Sequence, residues 1–337
     1  SRIMMLKNVW YVACTSQELQ PGAPFARVIC NEPVVLFRAD NGTPAILRDV
    51  CPHRLAPLSK GTIENNTLRC IYHGMAFNGQ GQCVGIPSQE AIPPRAQVRS
   101  YPAQERYGLV WIFPGNPALA ADTPLPSRPW RESSNWNTEI IQYFNVKANH
   151  SYMSDNLLDL SHVAFLHAAS IGFDSRRLSH DPLEVHTQEL CVRTQRIFHN
   201  THQAPAHKAW HALQEPITRT QMAEWTPPGN VTVLVRNENE SEQVDLRADH
   251  FITPETDTSH HYYVALARNF RIDDTAFSQQ LDHDTRIVHL EDVDITQAQQ
   301  SNQKWAVNEP PMGLKADKAV REAHAILNRL AQSEVAA

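Results

Sequence analysis

The first third of the chain is a series of short apolar runs divided by turn residues. Residues 33–38 and 44–48 are such runs, and Asp40-Asn41-Gly42 between them is a turn signal. Asn78-Gly79-Gln80-Gly81 marks a second hairpin tip, and the strongly apolar stretch 108–113 stops at Pro114-Gly115. This spacing predicts a small all-β domain of sandwich or barrel type. Five prolines then fall between Pro114 and Pro129, a density that sustains neither helix nor central strand. A boundary is expected there, with domains at 1–116 and 117–337.

Beyond that stretch the pattern is mixed. Residues 151–166 have helical content, with Asp155 and Asp159 near the start, while 231–235, 250–253 and 262–266 read as strands. The stretch 275–305 is long, polar and free of Gly and Pro, so a helix is expected. A second helix over 315–330 places Val320, Ala323, Leu327 and Leu330 on one face. The fold class is therefore α+β: an N-terminal all-β domain, then an antiparallel sheet flanked by segregated helices.

Composition narrows the function. At 337 residues, 42% hydrophobic and 20% charged, the chain can build two ordinary cores. A net charge of −6 offers no basic field for nucleic acid or anionic lipid. No apolar run reaches the length of about 18 residues that a spanning helix needs, and Ser1–Met5 lacks the order of a secretory signal. Six cysteines are too sparse for a disulfide scaffold, so reduced thiols in a cytoplasmic protein are expected.

Two clusters carry chemistry. Cys51-Pro52-His53 and Cys70-Ile71-Tyr72-His73 form a C-x-H and a C-x2-H pair, each with one thiolate and one imidazole on a tight loop. Two thiolates suit one iron of a sulfide-bridged pair and two neutral imidazoles suit the other. Tetrahedral zinc is the alternative, although zinc fingers place like ligands together. The second cluster is the run 155–167, with Asp159, His162 and His167. Two histidines and a distant carboxylate would make a facial triad with open positions on Fe(II). Asp159 and His162 are three apart and would share a helix face. His162 and His167 are five apart, about 140° around an ideal helix, so a π-bulge or helix end must separate them.

The first cluster, together with Ala56-Pro57-Leu58-Ser59-Lys60-Gly61 and Gly74, resembles the Rieske oxygenase pattern almost residue for residue. The resemblance extends from Asn8-Val9-Trp10-Tyr11 through Glu105-Arg106-Tyr107-Gly108 and residues 251–259 to Asp292. It is similar to the vanillate and dicamba O-demethylase and toluenesulfonate methyl-monooxygenase branch. It implies an N-terminal Rieske domain whose [2Fe–2S] cluster is held by Cys51, His53, Cys70 and His73. A catalytic domain with mononuclear Fe(II) on His162 and His167 follows. The third ligand in the family is an aspartate on a late helix, preceded by Glu in several members, which here selects Asp292 after Glu291, with Asp294 as the alternative.

The resemblance further implies head-to-tail homotrimers in which Asp159 bridges His73 of one subunit and His162 of the next. Leu157, Leu158 and Leu160 argue that Asp159 is buried. NADH electrons would arrive through a separate reductase or ferredoxin, since the chain has no nucleotide-binding signature. O2 would then be used to hydroxylate a methyl or methoxy carbon of a small, acidic aromatic substrate. A Rieske electron carrier without its own oxygenase chemistry is the rival reading. Asn156 and His250 are pocket candidates, and a surface strand-end role is the alternative for His250. Trp210 and Trp225 are expected in the core.

Overall fold

The apolar runs of the first third become strands in the computed structural model, which describes residues 5–337; residues 1–4 of the leading Ser1–Met5 stretch lie outside it. The strands are β1 (Tyr11–Thr15), β2 (Phe25–Ile29), β3 (Glu32–Arg38), β4 (Pro44–Arg48), β5 (Thr62–Glu64) and β6 (Thr67–Arg69). They continue with β7 (Ala76–Asn78), β8 (Cys83–Gly85), β9 (Ser100–Tyr101), β10 (Ala103–Arg106) and β11 (Leu109–Ile112). Three small sheets result, in the orders β1-β11-β10, β2-β3-β4-β9 and β5-β6-β7-β8. They belong to one compact unit, Lys7–Pro126 with Thr253–Asp257. Part of its core is the fully buried Val35, Phe37, Leu47, Leu58, Leu68 and Phe77, against which Cys51 and Cys70 pack. The expected hairpin tips at 40–42 and 78–81 join β3 to β4 and β7 to β8.

The second unit comprises Ser127–Ile252 and Thr258–Ala337. Its strands are β12 (Ile141–Val146), β13 (Glu184–Gln188), β14 (Cys191–Thr201), β15 (Ile217–Thr226), β16 (Asn230–Glu238), β17 (Gln243–Thr256) and β18 (Ser259–Arg268). They form one seven-stranded sheet in the order β12-β18-β17-β16-β15-β14-β13. Register pairs Val233 with Ala248 and Val235 with Leu246. With a period of two, these four and His250 share one face.

The helices are α1 (His150–Leu158), α2 (Val163–Leu166), α3 (Arg177–His180), α4 (Pro205–Trp210), α5 (Thr275–Asn302) and α6 (Lys318–Ala336). α1 reaches the β15–β16 turn closely, where Ser154 Oγ donates to the Gly229 carbonyl at 2.8 Å. A Cβ on Gly229 would stand 2.5 Å from that hydroxyl, so only glycine fits. In α5, Leu281, Thr285, Val288, Asp292 and Thr296 are buried at helical spacing, which gives a long polar helix one inward stripe.

Three expectations need correction. The 151–166 stretch is not one helix: α1 ends at Leu158 and a new turn begins after His162. Asp159 therefore lies past the end of α1, extended, and does not share a helix face with His162. On α6 the buried stripe is Ala319, Ala323, Ile326 and Leu327, so Val320 and Leu330 sit at its half-buried edges. Ile326, not either of those two, is the residue with no exposed surface.

A buried charge ties the sheet to the segment that enters it. Asp249, on β17, accepts hydrogen bonds from Trp130 Nε1 at 2.8 Å and Thr232 Oγ1 at 2.7 Å. It also lies 3.2 Å from Arg128 Nε and 3.7 Å from Arg131 Nη1. Asp249→Ala would strand two buried guanidinium groups, and removing one partner of such a pair costs about 3–5 kcal/mol. Urea unfolding followed by circular dichroism is expected to show a loss of that order.

Candidate functional site

The cluster motif folds as two copies of one loop. Leu55 N–H donates to the Cys51 carbonyl at 2.9 Å, and Cys51 N–H donates to Ala56 O at 2.9 Å. In the second copy Gly74 N–H donates to the Cys70 carbonyl at 3.0 Å and Cys70 N–H to Met75 O at 2.8 Å. Both loops turn at a left-handed residue, Leu55 at φ +62° and Gly74 at φ +79°. Asp49 pins the first from beneath by accepting from Ser59 N–H at 2.7 Å and Ser59 Oγ at 2.6 Å.

The repeated loop buries both thiols and leaves both imidazoles exposed. The His53 and His73 rings meet edge to face with centroids 4.5 Å apart. Burial, with the neighbouring Cys70 thiol adding to it, raises the Cys51 pKa. Unpaired, the Cys51 thiol would stay protonated; a cationic iron centre favours the thiolate form. Two inward sulfurs beside two outward imidazoles fit a mixed Cys2His2 [2Fe–2S] cluster.

At the second site α2 is a single turn with His162 at one end and His167 at the other. The helix ends that the spacing demanded are thus present, and the rings stand 5.0 Å apart. His162 Nδ1 lies 2.5 Å from the Asp159 carbonyl oxygen, which can only accept, so Nδ1 carries a proton and Nε2 is the ring nitrogen left to face the site. His167 Nδ1 lies 3.2 Å from Glu291 Oε1, which orients that ring the same way. Both Nε2 atoms face Asp292 Oδ1, at 3.4 Å for His162 and 3.1 Å for His167.

The three ligand atoms lie within 4.8 Å of one another. Burial alone would raise the Asp292 pKa, but hydrogen bonds and charge from His162 and His167 hold its carboxyl well below the usual range. A buried carboxylate facing the Nε2 atoms of two histidines is a donor set for a divalent transition metal, whose binding would displace the protons they share, and it fits ferrous iron. Asp294 is exposed and outside this group.

The group forms part of the wall of a cavity of about 90 Å³. At about 30 Å³ per water in the liquid this is room for about three waters. Sheet residues Val233, Val235, Leu246 and Ala248 make most of the facing wall apolar. His250 is buried in that wall, not at a surface strand end, with Nδ1 2.7 Å from the Tyr262 hydroxyl. Asn156 does not line the cavity; Leu157 does, because adjacent helical residues point about 100° apart, and Leu160 lines it from beyond the end of α1.

Trp210, expected as core, also lines it, whereas Trp225 is buried in the sheet. Asp159 is half-buried, not buried, and its carboxylate accepts from Ser161 N–H and Oγ. The contact to His162 comes from its carbonyl, because the extended backbone turns that oxygen toward the ring. His207 and His289 on the cavity wall went unread in the sequence. The signal for His289 was available, since it precedes Asp292 by three on one helix.

Gly74 offers a direct check. An added Cβ would meet Pro87 Cγ at 2.8 Å, and the positive φ costs a non-glycine residue about 1–2 kcal/mol. Gly74→Ala should lower the visible absorption and iron per chain; full cluster loading would show that the loop tolerates the strain.

Residues 9–102 match the Rieske [2Fe-2S] domain family, and residues 146–333 match the vanillate O-demethylase oxygenase C-terminal domain family. The chain is 33% identical over 342 residues to the toluene-4-sulfonate monooxygenase system iron-sulfur subunit of Comamonas testosteroni, covering 98% of both chains. It is 31% identical over 345 residues to the vanillate O-demethylase oxygenase subunit of Pseudomonas sp. strain HR199, covering 98% of this chain and 96% of that one. The crystal structure of dicamba monooxygenase bound to 3,6-dichlorosalicylic acid superposes with a TM-score of 0.91 at 30% identity, covering 99% of this chain and 100% of that one. With both domains matched in order and relatives aligned almost end to end, the chain belongs to the Rieske non-heme iron oxygenases, as an oxygenase component of the vanillate and dicamba O-demethylase and toluenesulfonate monooxygenase group.

Proposed function

We propose that the chain hydroxylates a methyl or methoxy carbon of a small acidic aromatic compound, with iron held by His162, His167 and Asp292. One observation carries this reading: the Nε2 atoms of two histidines and a buried carboxylate converge on the wall of a mostly apolar cavity. Ferrous iron at that point supplies O2 activation, and a cluster on Cys51, His53, Cys70 and His73 supplies single electrons passed from NADH by a separate reductase or ferredoxin. An electron carrier has use for the first site only, so the second favours the oxygenase.

The chain's own residues set the conditions. Asp159 O and Glu291 fix the tautomers of the two histidines, and the apolar wall excludes water from the reacting carbon. His250 is placed to hold the acidic group of the substrate. Hydroxylation of a methoxy carbon gives a hemiacetal, which collapses to a phenol and formaldehyde. Asn156 has no place in the cavity wall.

The working unit is proposed to be a homotrimer with His73 of one subunit beside Asp159 and His162 of the next. Exposed apolar residues at both sites support that docking: Leu55 (72%), Ile71 (67%) and Tyr72 (60%) around the cluster loops, and Phe165 (68%) between the two iron-site histidines. The functional division at 116/117 lies in the proline-rich stretch, where the compact units also change over, at Pro126/Ser127. Among the described residues no helix is long and apolar enough to cross a membrane. Cys14, Cys30, Cys83 and Cys191, outside the cluster loops and free of disulfides, support work in the reducing cytoplasm.

Methoxylated and methylated aromatic acids, screened with a matched reductase, should include at least one that releases formaldehyde or a benzylic alcohol; no turnover of any would overturn the reading. Asp292→Ala should drop iron from about three to about two per chain with the cluster spectrum intact. Asp159→Asn should leave both metals bound and turnover nearly abolished, and full activity would remove the bridge.

A further inference from the structure

Two cavity histidines outside the metal group are locked into opposite polarities. Gln142, fully buried on β12, points its amide nitrogen at the Asp282 carbonyl oxygen at 3.2 Å, which can only accept, and at Asp282 Oδ1 at 2.9 Å. The Thr285 hydroxyl donates to Leu281 O at 2.7 Å and so accepts from the same amide nitrogen at 2.9 Å. The amide orientation is thereby fixed, and Gln142 Oε1 accepts from His289 Nδ1 at 2.7 Å. Burial pushes the His289 pKa down to about 4, so the ring is neutral. With its hydrogen on Nδ1, its Nε2 is a bare acceptor.

His250 is set the other way. The Tyr262 hydroxyl has no other hydrogen-bond partner among the described residues, so it donates to His250 Nδ1 at 2.7 Å rather than bury an unused proton. Burial pushes the His250 pKa down to about 3, and the neutral ring carries its hydrogen on Nε2. The two rings stand edge to face with centroids 5.6 Å apart, and both line the cavity. Among the described residues neither Nε2 has a partner. One N–H and one bare nitrogen thus face a mostly apolar space that a ligand must satisfy.

We infer that His250 and His289 select an aromatic substrate bearing a hydrogen-bond donor, such as a phenolic hydroxyl, together with an anionic acceptor group. His250 Nε2–H donates to the acceptor, and bare Nε2 of His289 accepts from the hydroxyl. This rests on the aromatic-acid reading above and deepens it: an acid with acceptors only leaves His289 unpaired, and a site built to accept a hydroxyl proton discriminates against the analogue that lacks it. His289 is thus a specificity-determining residue for the proposed reaction.

The test is calorimetric titration of the cluster- and iron-loaded protein with benzoate, the three monohydroxybenzoates and their methyl ethers. At least one hydroxybenzoate should bind about tenfold or more tightly than both benzoate and its own methyl ether. In His289→Phe that ratio should fall to within about twofold, with benzoate binding kept and metal content unchanged. Gln142→Leu, which frees His289 to move its hydrogen to Nε2, should also collapse the ratio without touching the ligand, and it serves if His289→Phe does not fold. Benzoates that bind without hydroxyl preference, or a preference that survives both substitutions, would overturn the inference and leave the aromatic-acid reading standing. If none of the acids binds the wild-type protein, the aromatic-acid reading fails, and the inference with it.

Discussion

A carboxylate with almost no exposed surface, facing the Nε2 atoms of two histidines, governs the second half of this molecule. Asp292 cannot be buried as an anion without compensation; hydrogen bonds and charge from His162 and His167 supply it, and a bound cation would take the place of those protons. The Asp159 carbonyl and the Glu291 carboxylate each face the Nδ1 of one ring, which turns both Nε2 atoms toward Asp292. The helix break before His162, the single turn of α2 and the inward stripe of α5 all follow from bringing those three atoms together. Electrostatic demand at one point thus explains backbone irregularity several residues away.

The same logic recurs in the cavity. Backbone carbonyls of α5 decide the hydrogen position on Thr285 and Gln142, and through Gln142 on His289. A tyrosine hydroxyl decides it on His250. Neither imidazole is a titrating switch, since burial keeps both neutral. Their value is directional: in an apolar wall, a polar group of fixed sense discriminates more sharply than shape, because a mismatched partner loses water without regaining a hydrogen bond.

Much of this was legible in the sequence, for physical reasons. Metal ligands must be particular residue types at constrained spacing, so both clusters stood out, and the five-residue interval between His162 and His167 required a helix end before any coordinates. Apolar runs between turn residues located strands of the first third and three of the seven in the large sheet, and a long stretch without Gly or Pro and a 3.6-residue apolar period marked the two long C-terminal helices. What escaped depended on contacts distant in the chain. Nothing around Gln142 announces that it meets His289, nearly 150 positions later. Trp210 looked like an ordinary core residue because burial against a cavity and burial against a core leave the same local pattern, whereas His250 was already a pocket candidate. Asp159 was misplaced for a subtler reason: leucine neighbours mark a helix end as readily as a buried face.

The long α5 carries Asp282, Thr285, His289, Glu291 and Asp292 on one uninterrupted helix. Each residue added or removed within a helix turns everything beyond it by about 100°. A single insertion or deletion between Asp282 and Asp292 would therefore swing the metal-facing carboxylate away from its partners. Such positions admit substitution, His289 among them, but not a change in length, so this helix is the fixed ruler against which the rest of the pocket is set.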